Sequence, residues 1–237
     1  MQNEKISSGS FDFNDFLGGG YEKDVITMIA GPPGSGKTNL AILVACSQAK
    51  QENKVIFIDT EGGFSVERVN QITGNSEKIL ENILILKPTN FDEQKNCFNQ
   101  LLKNLKKEQV KLIVIDGMAM LYRLELAENE KQIKKINGEI VKQLRILAEI
   151  SRKKNIPVLI TNQVYSQFVE GEWKNGFEKQ MNIVGGDLFK YWSKCVIELK
   201  KEDNKRKAVL LKHRSLPEKE MNFEIREKGI FKKKSWL

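Results

Sequence analysis

The sequence is poor in the features that anchor, staple or export a chain. No stretch approaches about 20 consecutive apolar residues, and the opening segment Met1–Ser10 is polar, which argues against a membrane span and against a secretory signal. The expectation is a soluble, cytoplasmic protein. Cysteine is scarce: Cys46, Cys97 and Cys195 are odd in number, far apart and without CxxC spacing, so neither a disulfide framework nor a zinc site is indicated. Internal repeats and low-complexity tracts are missing too. What is present is 237 residues, 40% hydrophobic and 30% charged. That is enough for one large α/β core and too little for two ordinary domains with linkers, so residues 1–237 are read as one domain.

Charge is unevenly spread. Lys and Arg number 39 against 31 Asp and Glu, a net +8. Met1–Asp187 carries 24 of each sign, whereas Leu188–Leu237 carries 15 basic and 7 acidic residues, so the last fifty positions hold the whole excess. A localised basic patch suits a polyanion such as nucleic acid. A solvated lysine-rich surface accounts for it as well.

Short β-branched runs alternate with helical periodicity. Val25–Ala30, Val55–Asp59, Ile83–Leu86, Leu112–Asp116 and Val158–Thr161 read as buried strands bounded by Gly, Pro, Asp or Asn,. Between them Thr38–Lys50, Phe91–Glu108 and Ile133–Lys154 place apolar residues three and four apart, as at Ile136, Ile140, Leu144, Leu147 and Ile150,. The expectation is an α/β fold with a mostly parallel central sheet. Farther on, Cys195–Lys200 and Val209–Lys212 flank the turn-like Glu202-Asp203-Asn204, and Asn222–Ile225 follows a break at Pro217,. Antiparallel C-terminal strands should complete the sheet.

The strongest motif is Gly31-Pro32-Pro33-Gly34-Ser35-Gly36-Lys37-Thr38, which matches G-x-x-x-x-G-K-[ST] directly after a predicted strand and directly before a predicted helix,. Its glycines let the backbone curl so that successive N–H groups point at phosphate. Lys37 adds a positive charge at the β- and γ-phosphates, Thr38 offers a hydroxyl to Mg²⁺, and the helix start, with Asn39, favours the anion. The predicted cofactors are ATP and Mg²⁺. Leu112-Ile-Val-Ile-Asp116 delivers a carboxylate to the same sheet edge, where Asp116 is the metal-holding candidate beside Thr38,. Ile58-Asp59-Thr60-Glu61 supplies another acid: Glu61 is the candidate for polarising a water, or else caps the next helix,. Gln163 ends the last parallel strand and either reaches the γ-phosphate or is a plain strand-end amide. Lys37, Glu61 and Gln163 form the catalytic set.

Taken in order, these residues resemble the RecA superfamily, and within it the archaeal RadB family, related to the RadA recombinases. The likeness runs nearly end to end: Ser8-Gly-Ser10…Asp15-Phe-Leu-Gly-Gly-Gly20 ahead of the phosphate loop, Asp59-Thr-Glu-Gly-Gly-Phe64…Glu67-Arg68, Asp116…Leu121-Tyr-Arg123, Ile160-Thr-Asn-Gln-Val164 and Gly185-Gly186. The resemblance implies a RecA-type phosphate-loop core and a DNA-binding accessory ATPase of homologous recombination and repair, with weak or no hydrolysis and no strand exchange of its own. Its implied partners are DNA and a RadA-type recombinase, with single- or double-stranded preference and a homodimer left open. Two departures bear on assembly. The phosphate loop begins at Gly31, leaving no room for an N-terminal helix-hairpin-helix domain and docking linker. Before Leu216-Pro217-Glu218, where recombinases carry an acidic Asp-Ser-Pro cap, this chain reads Lys212-His213-Arg214. Both count against ATP-driven polymerisation.

Lys212, His213 and Arg214 are thereby the first DNA-binding candidates, with His213 included only for its place between two cations. Tyr165–Gly186 is the second: Phe168, Trp173, Lys174, Phe177 and Lys179 among glycines suit stacking on single-stranded bases, or packing at the core or a subunit contact,. Trp173 and Lys174 lead that set. Two rival readings share the core: a DNA-independent regulatory ATPase resembling the KaiC group, and a small-molecule kinase, for which no lid or acceptor pocket is found.

Overall fold

The computed structural model describes residues 4–166, 181–183, 186–203 and 205–233. A short antiparallel pair, β1 (Lys5–Ile6) and β2 (Tyr21–Glu22), brackets helix α1 (Phe11–Phe16). That helix starts where it does because the Ser10 hydroxyl accepts from the Phe13 amide at 3.2 Å,. β3 (Ile26–Gly31) leads into the phosphate loop and α2 (Lys37–Ala49). There follow β4 (Lys54–Asp59), α3 (Val66–Thr73), α4 (Ser76–Leu80), β5 (Ile83–Leu86) and α5 (Phe91–Lys107). Ser65, Asn75 and Asn90 cap α3, α4 and α5, each side chain accepting from the amide three residues on,. β6 (Val110–Asp116), α6 (Met120–Glu128) and α7 (Ile133–Lys154) come next, α7 stopping at Asn155 in a left-handed turn with φ 53°,. The chain finishes with β7 (Val158–Ser166), β8 (Met181–Ile183), α8 (Asp187–Trp192), β9 (Ser193–Glu202), β10 (Lys205–Lys212), β11 (Lys219–Arg226) and β12 (Gly229–Lys232).

The strands run β5-β4-β6-β7-β3-β9-β10-β11-β12, with β8 paired to β7. From β5 to β9 all pairings are parallel; from β9 onward they are antiparallel, as expected from the two kinds of sequence pattern. Helices cover both faces. Phe13, Leu40, Leu43, Val69 and Ile79 pack one face with Val114, Leu199 and Phe223. Phe98, Leu101, Leu121, Leu144, Leu147 and Phe189 pack the other with Ile113, Ile115 and Ile160. Successive residues of β6 alternate between these cores, so a strand buried on both sides reads as an unbroken apolar run.

The predicted strands and helices are found, most with ends moved by one or two residues, but β10 begins four residues and β11 three residues before the sequence pattern does, and β7 extends further still. β7 runs to Ser166 and pairs antiparallel with β8, where the sequence suggested an uninterrupted loop from Tyr165. β12 was not anticipated at all: Gly-Ile-Phe-Lys is too short to show a period.

Candidate nucleotide site

The carboxyl ends of the parallel strands form one edge, the usual place for a ligand in such a sheet, and the motif residues meet there. Gly31 closes β3, and the loop then turns through Gly34 and Gly36, both left-handed at φ +71° and +111°. A Cβ on Gly31 would lie 2.7 Å from the Leu199 carbonyl oxygen, and one on Gly36 would lie 2.9 Å from Ile225 Cδ1. The loop is thus wedged against β9 and β11 at Gly31 and Gly36. Gly36 gives α2 no side-chain cap, which leaves its first amides for an anion. Ser35 is buried with its hydroxyl unpartnered, and Lys37, 6% exposed, donates from Nζ to the carbonyl oxygens of Gly31 (2.9 Å) and Pro32 (3.1 Å). Burial pulls the Lys37 pKa down while the Glu61 and Asp116 charges pull it up.

Asp116 does not sit on the strand next to β3. β7 intervenes and contributes Thr161, whose hydroxyl donates to Asp116 Oδ1 at 2.5 Å and accepts the Gly117 amide at 2.8 Å. The other carboxylate oxygen, Oδ2, is buried without a hydrogen-bond partner. It borders the same small space as the Thr38 hydroxyl: a Cβ on Gly63 would lie 3.3 Å from Thr38 Oγ1 and 3.6 Å from Asp116 Oδ2. Burial pushes the Asp116 carboxyl up to about 6, against the opposing pull of Thr161 and Thr38,. Among the described residues no cluster of three acids, cysteines or histidines could cage a metal. One carboxylate with a free oxygen beside one hydroxyl fits instead a hard cation that brings phosphate oxygens and water with it. Asp116 and Thr38 suit Mg²⁺ in that sense.

Glu61 and Gln163 face one another across the site, Gln163 Nε2 donating to Glu61 Oε1 at 3.1 Å. Both line an open cleft of about 390 Å³ together with Met120 and Arg123. Asp59 has a different task, its two oxygens accepting from the amides of Gly63 (3.1 Å) and Phe64 (2.9 Å) to fold the loop after β4. Gly117, at φ +84°, passes so close that a Cβ would lie 2.5 Å from Thr60 Oγ1 and 2.6 Å from Glu61 Cγ. Thr161 and Gly117 went unnoticed in the sequence. Their only signal was a hydroxyl at an inward position of a buried strand and a glycine directly after the acid.

The predicted DNA contacts lie elsewhere. β10 ends at Lys212, opposite Val196 near the start of β9, so residues 212–214 occupy the sheet edge away from the phosphate loop. Two of these three side chains are engaged with neighbouring residues there. His213 has a side chain only 1% exposed, 3.7 Å from Glu22, and its Nδ1 accepts from the Ser215 and Leu216 amides. Arg214 is held by Asp24 through two bonds of 2.9 and 2.7 Å and by Glu22 at 3.2 Å. Lys212 remains exposed. Trp173 and Lys174 fall outside the described residues.

A strand, a glycine-rich anion loop, an uncapped helix start and a buried acid one strand removed define a RecA-type phosphate-loop domain. The chain belongs to the Rad51 family, whose model matches residues 2–233, and within it to the archaeal RadB branch. It is 40% identical to the DNA repair and recombination protein RadB of Methanobrevibacter smithii over 96% of both chains. It is 41% identical to proteins of the same description from Methanocaldococcus jannaschii, over 91% of this chain and 97% of that one, and Methanococcus maripaludis, over 91% and 95%. No helix among the described residues is long and apolar enough to cross a membrane.

Proposed function

We propose that this chain is an ATP- and DNA-binding accessory protein of homologous recombination and DNA repair, acting beside a RadA-type recombinase, with weak or no hydrolysis and no strand exchange of its own. The observation that carries the ATP reading is the unpartnered Asp116 Oδ2 next to the Thr38 hydroxyl, behind a loop whose lysine is already buried. The recombination role rests on the relatives' descriptions.

Each residue then has a distinct task. The loop amides and the start of α2 hold phosphate, and Lys37 exchanges two loop carbonyls for phosphate oxygens. Asp116 and Thr38 hold Mg²⁺, which when bound neutralises phosphate charge. Glu61 accepts a proton from water, and Gln163 orients Glu61 and reports on the γ-phosphate. In calorimetry Lys37→Ala is expected to weaken ATP binding about 10- to 100-fold, the loss of a charged hydrogen-bonding group. Asp116→Ala should remove the Mg²⁺ dependence. Unchanged ATP affinity in Lys37→Ala overturns the site. Tight ATP binding by a chain that binds no DNA at low salt would favour a DNA-independent regulatory ATPase.

A further inference from the structure

Once Arg214 and His213 are engaged inward, the exposed cationic cluster nearest them is built from α8 and the strand ends beside it. Tyr191 is 69% exposed, a large ring left in water. It is braced edge-on by Trp192, with ring centroids 5.6 Å apart at 90°. Lys194 Nζ lies 5.6 Å from the Tyr191 ring centroid and donates to the Tyr191 carbonyl oxygen at 3.3 Å. Lys212 reaches across from β10 and donates to the Lys190 carbonyl oxygen at 2.9 Å. Lys190, Lys194 and Lys212 are all exposed, and among the described residues none of them pairs with a carboxylate. Partial burial and the Lys194 charge together press the Lys212 pKa below its ordinary value. Lys194 and Lys212 are tethered and close enough to repel each other, and Lys190 adds a third exposed cation on α8.

We infer that Lys190, Tyr191, Lys194 and Lys212 form a docking surface for single-stranded DNA, the Tyr191 ring stacking on a base while the ammonium groups take the adjoining phosphates. The charge is complementary to phosphate, and crowded like charges gain more from a polyanion than from a protein face of mixed sign. An exposed aromatic beside them selects unpaired bases, whose π-faces are open, over duplex, where they are stacked. The two lysine-to-carbonyl bonds and the Trp192 contact order these side chains beforehand, which lowers the cost of binding. The surface is remote from ATP: Ser193 is in register with Ile26, the first residue of β3, whose last residue Gly31 opens the phosphate loop. At ~3.3 Å per residue that strand puts roughly 17 Å between them.

This surface rests on the DNA-binding reading above, and anisotropy with labelled oligothymidylate over a salt series tests the two separately. Tyr191→Ala should weaken binding about ten-fold or more, with Tyr191→Phe near the parent, because stacking needs the ring and not the hydroxyl. Lys194→Ala with Lys212→Ala should reduce the slope of log K against log[salt] by about 1.4, at ~0.7 per phosphate contact on a single strand. ATP affinity by calorimetry should stay at the parent value in every variant. If the parent binds DNA and Tyr191→Ala and the double-lysine variant match it, this surface is overturned and DNA binding stands. If the parent binds no DNA at low salt, both fall. Loss of recombinase capture with DNA affinity intact also overturns the inference, marking a protein interface instead.

Discussion

Glu61 and Gln163 touch each other, and the pair divides binding from chemistry. Glu61→Gln keeps the size but removes the only group of the pair able to take a proton, so ATP binding should persist while any hydrolysis falls at least ten-fold. Phosphate release at the parent rate would exclude Glu61 as the base. Arg214 gives the opposite kind of prediction. It binds Asp24 in a two-bond fork and shares Glu22, whose side chain is 1% exposed, so it ties β2 to the loop between β10 and β11. Arg214→Ala should cost about 1–2 kcal/mol, reduced from the value for a buried pair because Arg214 and Asp24 are partly in water. The same fork holds the Asp24 carboxyl below its ordinary range. A depressed carboxylate stabilises the fold above its unfolded pKa and loses that contribution as pH falls through the folded one. Thermal melts should show the parent losing this advantage on acidification, with Arg214→Ala flatter. The DNA salt slope should not change in the variant.

At the level of elements, β7 is the piece that turns separate motifs into a site. It lies between the strand of Asp116 and the strand of the phosphate loop, and Thr161 is the bridge. Thr161→Val keeps the shape but strands the buried Gly117 amide and frees Asp116 Oδ1, which should cost about 1–3 kcal/mol. Denaturant unfolding would measure that, and an unchanged midpoint would show the hydroxyl to be incidental. Such a bridge was invisible in the sequence, although β3, β4, β5, β6 and their helices were legible. Burial on both faces and helical periodicity are local, and they write themselves into consecutive residues. Strand order is not local. Nothing in Leu159-Ile-Thr-Asn-Gln163 says that it is inserted between two strands already formed. For the same reason the carboxylates that hold Arg214 could not be read from its neighbours in the sequence: they lie some 190 residues earlier.

The whole molecule joins two kinds of sheet along one line, and the nucleotide site and the basic surface fall at opposite ends of β3. With Lys212-His213-Arg214 in place of an acidic cap, the purified chain with ATP and homologous DNA is expected to give no strand-exchange product, and efficient product without another recombinase would refute this. The junction has one more effect. Gly31 abuts Leu199, Gly34 lies near Lys201 and Gly36 abuts Ile225, so the antiparallel strands form the outer wall of the phosphate loop. Their lysine-rich sequence looks like a tail that could be clipped or replaced by a fusion partner. A cut after Lys212 would keep Leu199 and Lys201 but strip Ile225 from Gly36, so a truncation meant to remove charge would also open one side of the phosphate loop.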